Sequence, residues 1–418
     1  MRSELLRRVV PLVLALLVAC HGAAAQSRTH DSNEHRFRVV PVVTGLEHPW
    51  ALAFLPDGDL LVTERRGRLL RIGADGRRHP IEGLPQVAAV GQGGLLDLVL
   101  DPDFARNRLL YLSYSEQLGG GLRTAVARAE LAGDRLVALR RIFAMNRASS
   151  GGRHFGSRLA FLPDGDLLVT VGDRGQRHRA QDPTDHAGSV LRMRPDGTAS
   201  PRTMALAIPG AAPEVFTFGH RNAQGLALHP GTGEIWIHEH GPRGGDEINI
   251  LRGGANYGWP VVTYGREYSG PSIGVGSEAP GMEPPLLHWT PSIAPSGMAF
   301  YTGTGFPRWR GDLFVGALAG RHLRRVVVRD GAVVKQEVLL EGSVGRIRDV
   351  RQGPDGRLWL LTDARRGALY RIEPAAPLGV TGEPPPPPVR SGRPTPPAAP
   401  RQAGAPDLPA APDRSEPS

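Results

Sequence analysis

Polar residues that could do chemistry are concentrated in a few short stretches of the 418-residue chain. The stretches are GGRHFG (151–156), VGDRGQRHRAQD (171–182), FGHRNAQG (218–225), HEHGPRGGDEINILRGGANYGWP (238–260) and GRIRDV (345–350). They combine histidines, which exchange protons near neutral pH, with carboxylates and arginines. Each stretch lies beside a predicted strand, where binding and catalytic loops are commonly found.

Taken singly, each stretch also has an ordinary structural explanation. The pairs Arg221–Asn222 and Asp246–Glu247 could simply stabilise turns. A lone histidine such as His154 is more often a structural or surface residue than a catalyst. The residue types alone therefore leave the role of each stretch open.

The metal chemistry that these stretches favour is that of a hard cation. His238 and His240 form only a weak metal pair, and the chain has neither a cysteine cluster nor an HExxH motif, so zinc is disfavoured. The stretch GPRGGDE (241–247) combines carboxylates with glycine-rich backbone that can offer carbonyl oxygens. This donor chemistry favours calcium.

The elements that must position these loops are indicated by a repeat. The segment AFLPDGDLLVT occurs at 53–63 and again, unchanged, at 160–170. In the first copy, apolar runs flank Pro-Asp-Gly turn chemistry, and a third apolar run follows a second turn, which predicts an antiparallel meander. Looser copies occur at 95–116, 225–241, 297–318 and 348–363.

Six such units predict an all-β fold, a six-bladed β-propeller of four-stranded antiparallel blades over residues 36–374. A lone meander cannot cover both of its faces, whereas several packed radially can. The repeated segment is then scaffold. Function is expected in the loops at one end of the central channel.

The two ends of the chain are predicted to lie outside this domain. Residues 1–25 have arginines, a short apolar run and then small residues, which is the layout of a secretory signal peptide. The sequence before Cys20, the only cysteine, also resembles a lipobox, so a lipid anchor and conventional cleavage both stay open. Residues 375–418 are rich in proline and predicted to be disordered.

The charge of the chain does not indicate a nucleic-acid partner. The formal net charge is +9, and Lys335 is the only lysine, so arginine carries nearly all of the positive charge. The arginines are scattered and mixed with acidic residues rather than clustered. We therefore predict no nucleic-acid binding.

Taken together, the motifs resemble those of one family. GQGGLLDLVLDPDF (91–104), GGRHFGSRLAFLPDG, VGDRG, GHRNAQGLAL, GPRGGDEIN, NYGWP and GRIRDVRQGPDG occur in order over most of the predicted propeller. The chain is thereby similar to the PQQ-dependent soluble aldose sugar dehydrogenases, relatives of soluble quinoprotein glucose dehydrogenase. The resemblance implies a six-bladed propeller that binds pyrroloquinoline quinone (PQQ) and calcium at its mouth.

The resemblance implies a catalytic role for three residues. His154 matches the general base that takes the proton of the anomeric hydroxyl, and Asp173 matches the acid that orients it and is expected to raise its pKa. Arg221 and Asn222 match the pair beside the quinone oxygens, where a fixed cation stabilises negative charge. Gln92 matches a polar contact to cofactor and sugar.

The resemblance also implies two calcium sites. The backbone carbonyls of Gly241 and Pro242 match ligands of a calcium ion that coordinates the quinone. Glu247 and the region of Tyr257 match a second, structural calcium site.

Two further arginines match a clamp for the cofactor's carboxylates. Arg346 and Arg348 are two residues apart on a predicted strand, so they share one face. The lysine that the family adds to this clamp falls on Ala319. Either Arg321 reaches in, or PQQ binds more weakly, or the chain has departed from PQQ use.

The predicted function is that of an exported, periplasmic or secreted dehydrogenase. It would oxidise aldoses to lactones, pass electrons to a periplasmic acceptor and act as a monomer. Two alternatives stay open at this point: a calcium-dependent lactonase and a non-catalytic propeller that binds glycans or protein. The substitution at Ala319 favours the second alternative, whereas His154, Asp173 and Arg221 favour the dehydrogenase.

Overall fold

A computed structural model describes residues 27–375, and strands make up nearly all of the regular structure there. The first thirteen strands are β1 (Arg28–Asp31), β2 (Arg36–Leu46), β3 (Pro49–Phe54), β4 (Leu60–Glu64), β5 (Arg68–Ile72), β6 (Arg78–Ile81), β7 (Leu95–Leu100), β8 (Leu109–Leu118), β9 (Gly121–Ala132), β10 (Arg135–Ala144), β11 (Leu159–Phe161), β12 (Leu167–Val171) and β13 (Ser189–Met193). The others are β14 (Val215–Phe218), β15 (Ala223–Leu228), β16 (Ile235–Glu239), β17 (Asp246–Ile250), β18 (Leu287–Trp289), β19 (Pro295–Phe300), β20 (Leu313–Ala317), β21 (Leu323–Arg329), β22 (Ala332–Leu339), β23 (Ile347–Gln352), β24 (Leu358–Thr362) and β25 (Gly367–Pro374). Two one-turn helices, α1 (Phe104–Asn107) and α2 (Pro201–Met204), and 3₁₀ turns at Arg177–Gln181 and Pro307–Trp309 complete the elements.

The strands form six antiparallel sheets, which confirms the predicted six-bladed propeller. Blade 1 is β3–β6, blade 2 is β7–β10, blade 3 is β11–β14, blade 4 is β15–β18, blade 5 is β19–β22, and blade 6 contains β23–β25. The first strand of each blade packs beside the first strand of the next, so these strands close into a ring around the channel. Apolar side chains pack between neighbouring blades to form the core.

The two identical copies of AFLPDGDLLVT build the same hairpin in blades 1 and 3. In each, the last aspartate of PDGD accepts a hydrogen bond from an arginine on the third strand: Arg71 Nε lies 2.6 Å from Asp59, and Arg192 Nε lies 2.7 Å from Asp166. The repeated segment therefore reflects one turn geometry that both blades use. This turn lies at the end of the blade opposite to the predicted site loops.

Blade 6 joins the two ends of the described chain. Its order is β1–β2–β25–β24–β23, and β2 pairs along β25, with Val39 opposite Ile372. It therefore has five strands rather than the predicted four. The sheet also begins at Arg28, before the predicted start at residue 36, because Arg28 to Asp31 pair with β2.

Buried ion pairs fill the channel below the predicted site. Asp97 on β7 and Asp349 on β23 are both almost fully buried, and Arg158 lies between them. Arg158 Nη1 is 2.9 Å from Asp349 Oδ1, and Arg351 Nη2 is 2.6 Å from Asp97 Oδ1. These charges tie the first strands of three blades together across the axis.

The predicted signal peptide at 1–25, the lipobox at Cys20 and the proline-rich tail beyond residue 375 lie outside the described residues. Within residues 27–375, no helix is long and apolar enough to cross a membrane.

Candidate active site

The predicted site residues converge on one end of the channel because of strand direction. In an antiparallel blade, the first strand begins at the same end at which the second strand ends. The residues that come just before or at the start of first strands are Trp50, Gln92, His154, Asn222, Ala294 and Arg346. The residues that come just after second strands are Arg65, Asp173, His240, Leu318 and Asp363.

Two adjoining chambers open at this end. The inner chamber has a volume of about 260 Å³ and is lined by Trp50, Arg65, Gln92, Leu96, Phe155, Gly156, Asn222, Gln224, His240, Ala294, Leu318, Arg346, Arg348 and Asp363. The outer chamber has a volume of about 840 Å³, and its lining includes His154, Arg221, Gly241, Pro242 and Ala319. Gln92, His240 and Ala294 line both chambers, so the two are contiguous.

His154 and Asp173 form a buried pair at the wall of the outer chamber. His154 Nδ1 lies 2.6 Å from Asp173 Oδ1, and the Asp173 side chain is only 1% exposed. Trp259 Nε1 donates to the other carboxylate oxygen at 2.8 Å. The backbone N–H of His154 donates to Gln92 Oε1 at 2.8 Å, so Gln92 positions the histidine as well as lining the chambers.

The pair is poised as a general base. An ionised carboxylate only accepts hydrogen bonds, so Nδ1 carries the proton and Nε2 keeps its lone pair. Burial lowers the pKa of His154 below 6.5, and the hydrogen bond to Asp173 opposes this shift without reversing it. The predicted effect of Asp173, which is to raise the pKa of His154, is therefore present, but burial outweighs it, and the sequence did not reveal the burial. Although burial opposes it, the hydrogen bond from His154 keeps the pKa of Asp173 below its usual value.

Arg221 lines the outer chamber, and its neighbour Asn222 lines the inner one. Arg221 Nη1 donates to the carbonyls of His240 at 3.0 Å and of Gly241 at 2.9 Å. Asn222 Oδ1 accepts from the backbone N–H of Gly156 at 3.1 Å, which ties it to the loop that carries His154. The structure therefore brings the predicted pair next to the predicted base, although on different blades.

The inner chamber is strongly cationic. Arg65, Arg346 and Arg348 line it, and Asp363 is the acidic residue among its lining residues. Burial lowers the pKa of Arg348 to about 10, because Asp363 compensates its charge only in part. Although burial opposes it, Arg348 together with a hydrogen bond from His48 holds the pKa of Asp363 well below its usual value. The chamber thus fits a ligand with several negative charges.

Arg65 is a site residue that the sequence analysis missed. It comes directly after β4 in blade 1 and lines the inner chamber. Ala319, where a lysine was expected, lies in the outer chamber, whereas the exposed Arg321 lines neither chamber. The third arginine that lines the inner chamber, beside Arg346 and Arg348, is therefore Arg65 and not Arg321.

The two predicted calcium sites differ in how well their residues suit a calcium ion. The Gly241 carbonyl already accepts one hydrogen bond, from the cationic Arg221, whose charge would oppose a calcium ion there. Glu247 fits better. It is directly opposite Glu239 on the neighbouring strand, and burial together with Glu239 raises the pKa of Glu247 to about 8.

A small space lies beside these two carboxylates. Its volume is about 10 Å³, which is roughly the room needed for one water or ion, and Tyr257 also lines it. Asn249 Nδ2 approaches both Glu239, at 3.4 Å, and Glu247, at 3.3 Å. A buried pair of like charges is unfavourable unless it is neutralised, and a divalent cation would do so.

Comparison with known proteins agrees with this architecture. The family model "Glucose / Sorbosone dehydrogenase" matches residues 46–371. The chain belongs to this family. It is 43% identical to aldose sugar dehydrogenase YliI of Escherichia coli over 336 residues, which cover 79% of this chain and 91% of that protein.

Solved structures extend the comparison. A crystal structure of a glucose dehydrogenase has a TM-score of 0.78 and 48% identity, covering 80% of this chain and 98% of its own. The PQQ-bound aldose sugar dehydrogenase of Streptomyces coelicolor has a TM-score of 0.66 and 30% identity, covering 84% and 99%. The resemblance drawn from the motifs is therefore confirmed. The protein is an oxidoreductase of the PQQ-dependent, aldose sugar dehydrogenase kind.

Proposed function

We propose that this protein oxidises the anomeric carbon of aldose sugars to lactones with PQQ as the hydride acceptor. The observation that carries the proposal is the His154–Asp173 pair, which borders a chamber that adjoins a cradle of three arginines. A base beside an anion-binding chamber suits a reaction that removes a proton from one ligand while another is held in place.

The residues that would hold PQQ are those of the inner chamber. PQQ is a planar tricarboxylate, and Arg65, Arg346 and Arg348 would neutralise its carboxylates. Arg348 also lies over the ring of Trp50, with 5.7 Å from its guanidinium carbon to the ring centroid, so the cation is held against an aromatic wall. When bound, PQQ supplies a two-electron acceptor for the hydride that leaves the anomeric carbon.

The chain's own residues manage the proton. His154 Nε2 accepts the proton of the anomeric hydroxyl, while the anomeric C–H bond breaks with its electron pair and the C=O bond of the lactone forms. Asp173 stabilises the imidazolium that results and keeps the ring in its orientation. Arg221 places a fixed positive charge beside the reacting groups, where negative charge develops.

Calcium is proposed at the site formed by Glu239, Glu247 and Tyr257. The two carboxylates offer oxygen ligands to a hard cation in this space. A bound calcium ion would relieve the repulsion between the two glutamates. No catalytic step is assigned to a metal ion at Gly241 and Pro242, since Arg221 uses the Gly241 carbonyl.

Replacing Glu247 with glutamine is expected to remove the stabilisation by calcium. Millimolar calcium should raise the thermal unfolding midpoint of the parent protein, because the ion binds the folded pair of glutamates and not the unfolded chain. In Glu247→Gln the apoprotein should be at least as stable as the parent, since one of two repelling carboxylates is gone. Glu214→Gln, on blade 3, is the control. A calcium-dependent rise in Glu247→Gln equal to that of the parent would refute this site.

The location and partners of the enzyme belong to the same proposal. The apolar segment and small residues within 1–25 support export to the periplasm or the medium, and Cys20 supports a lipid anchor. A periplasmic electron acceptor would then receive the electrons from the enzyme, which we propose acts as a monomer. Mass spectrometry of the mature protein distinguishes an acylated N-terminus at Cys20 from an unmodified one near Gln26.

The test of the function is reconstitution of the mature protein. Dye reduction that depends on an aldose should appear when PQQ is added together with calcium, and the product should be the lactone. Hydrolysis of added lactones without dye reduction would support the lactonase instead. PQQ binding without turnover of any common aldose, or no PQQ binding by the folded protein, would refute the dehydrogenase.

A further inference from the structure

Arg174 is the most unusual buried charge near the site. It follows Asp173 directly, is only 1% exposed, and has no carboxylate partner within residues 27–375. Asp173 pairs instead with His154, and the nearby Arg179 pairs with Asp185. The Nε atom of Arg174 also has no acceptor. A buried guanidinium without a counter-ion is unfavourable, so Arg174 depends on its remaining contacts.

The contacts of Arg174 all lead to the loop that carries His154. Its guanidinium donates to the carbonyl of Gly151 at 2.7 Å and also to the carbonyl of Arg153. Its guanidinium carbon lies 3.4 Å from the centroid of the Phe155 ring. Arg174 therefore contacts both residues that flank His154, Arg153 and Phe155.

The backbone at His154 needs such support. Its φ angle is +55°, in the left-handed region that residues other than glycine seldom adopt unless their surroundings hold them there. The loop also meets the Asp173 turn at very close range, since a Cβ atom at Gly172 would lie 2.2 Å from the His154 carbonyl oxygen. The position of the His154 imidazole thus depends on how the 151–156 loop packs against the Asp173 turn.

We propose that Arg174 is a positioning residue, which fastens the His154 loop to the Asp173 turn and so keeps the imidazole aligned with its carboxylate. The proposal rests on the proposed function insofar as His154 is the base. It concerns the geometry of the apoprotein, however, and can be tested without cofactor or sugar. A purely structural arginine would stabilise the fold without controlling the His154–Asp173 hydrogen bond.

The experiment compares Arg174→Met, which keeps the apolar length but removes the donors, with Arg174→Lys, which keeps one charge and can reach one carbonyl. Histidine is labelled with ¹⁵N in the full-length apoprotein, and the His154 signals are assigned by their loss in His154→Gln. The parent should show His154 with its proton on Nδ1. The Met variant should lose this single tautomer, and the Lys variant should regain it in part.

Activity of the loaded enzyme gives the second readout. In Arg174→Met we expect kcat to fall by about 10- to 100-fold, the range found for residues that orient a reacting side chain, while KM for the sugar and Kd for PQQ stay within about threefold. Arg192→Met is the matched control, because Arg192 also lies over a phenylalanine, Phe216, and belongs to blade 3, but contacts no residue of the 151–156 loop.

An unchanged His154 tautomer in a folded Arg174→Met protein overturns the proposal, whatever the kcat. If the Met variant does not fold, the Lys variant decides in the same way. If the parent shows no dehydrogenase activity, the proposed function fails, while the tautomer measurement still gives its own answer about Arg174.

Discussion

Replacement of His154 by glutamine is expected to lower kcat by about 10²- to 10⁴-fold, the range typical of a positioned general base. The structure gives the reason that the loss should be confined to the chemical step. Without the imidazole, Asp173 keeps its hydrogen bonds from the Trp259 ring nitrogen and from the backbone N–H of Gly175. No buried charge is left without partners, so the unfolding midpoint should change little.

Cofactor affinity should also survive this replacement. The arginines that would hold PQQ line the inner chamber, whereas His154 lines only the outer one. The measurement is kcat beside the Kd for PQQ and the thermal midpoint. His186→Gln is the matched control, since His186 is also buried and pairs with a carboxylate, Glu214, but lines neither chamber. A His154→Gln enzyme that keeps most of its turnover would require another base, with Asp173 the next candidate.

The pH dependence gives an independent check on the same residue. Because burial lowers the pKa of His154, an NMR titration of the apoprotein should place it below 6.5. The base must be neutral to accept a proton, so kcat/KM should rise with increasing pH through the inflection of His154. This acidic limb should be absent from His154→Gln. A pKa of His154 above 6.5 in the apoprotein would mean that the carboxylate outweighs burial after all.

The sequence predicted the blades better than their closure. Each blade is a local meander, so alternating apolar runs and Pro-Asp-Gly turns are enough to predict it. The pairing of β2 with β25 joins the two ends of the domain, and no local pattern specifies such a distant partner. For the same reason β1 was not predicted, since Arg28 to Asp31 form a strand only against β2.

The sequence predicted the site residues that lie in distinctive motifs. It missed a residue that only the three-dimensional fold brings to the site. His154 and Asp173 lie in distinctive stretches of sequence, whereas Arg65 lies in an ordinary turn. Arg65 lines the inner chamber because β4 ends at the mouth of the channel. A signal did exist. The two identical copies stop matching after Thr63 and Thr170, where the second strands reach the mouth. The pKa of His154 could not be predicted, because burial depends on the packed loops and not on the neighbouring residues in the chain.

Replacement of Arg348 by glutamine is expected to weaken PQQ binding strongly. Losing one hydrogen bond between a buried guanidinium and a carboxylate costs about 1.5–3 kcal/mol, which corresponds to roughly a 10- to 150-fold rise in Kd. The effect should be large because Arg348 is buried, and its charge is only partly compensated until an anion binds. The replacement should not destabilise the apoprotein, because Asp363 keeps His48 at 2.8 Å and Arg346 at 3.3 Å.

The neighbouring arginine provides an internal comparison. The side chain of Arg346 is 44% exposed, so water and salt screen its charge, and Arg346→Gln should raise the Kd for PQQ by less than Arg348→Gln. Arg371→Gln is the control, because Arg371 belongs to the same blade and packs on Trp359, outside both chambers. Isothermal titration of the parent and the three variants, all as apoproteins, with PQQ gives the four dissociation constants. Equal affinities for the parent and Arg348→Gln would show that the inner chamber does not hold the cofactor's carboxylates, and the anion it is built for would have to be sought among other ligands.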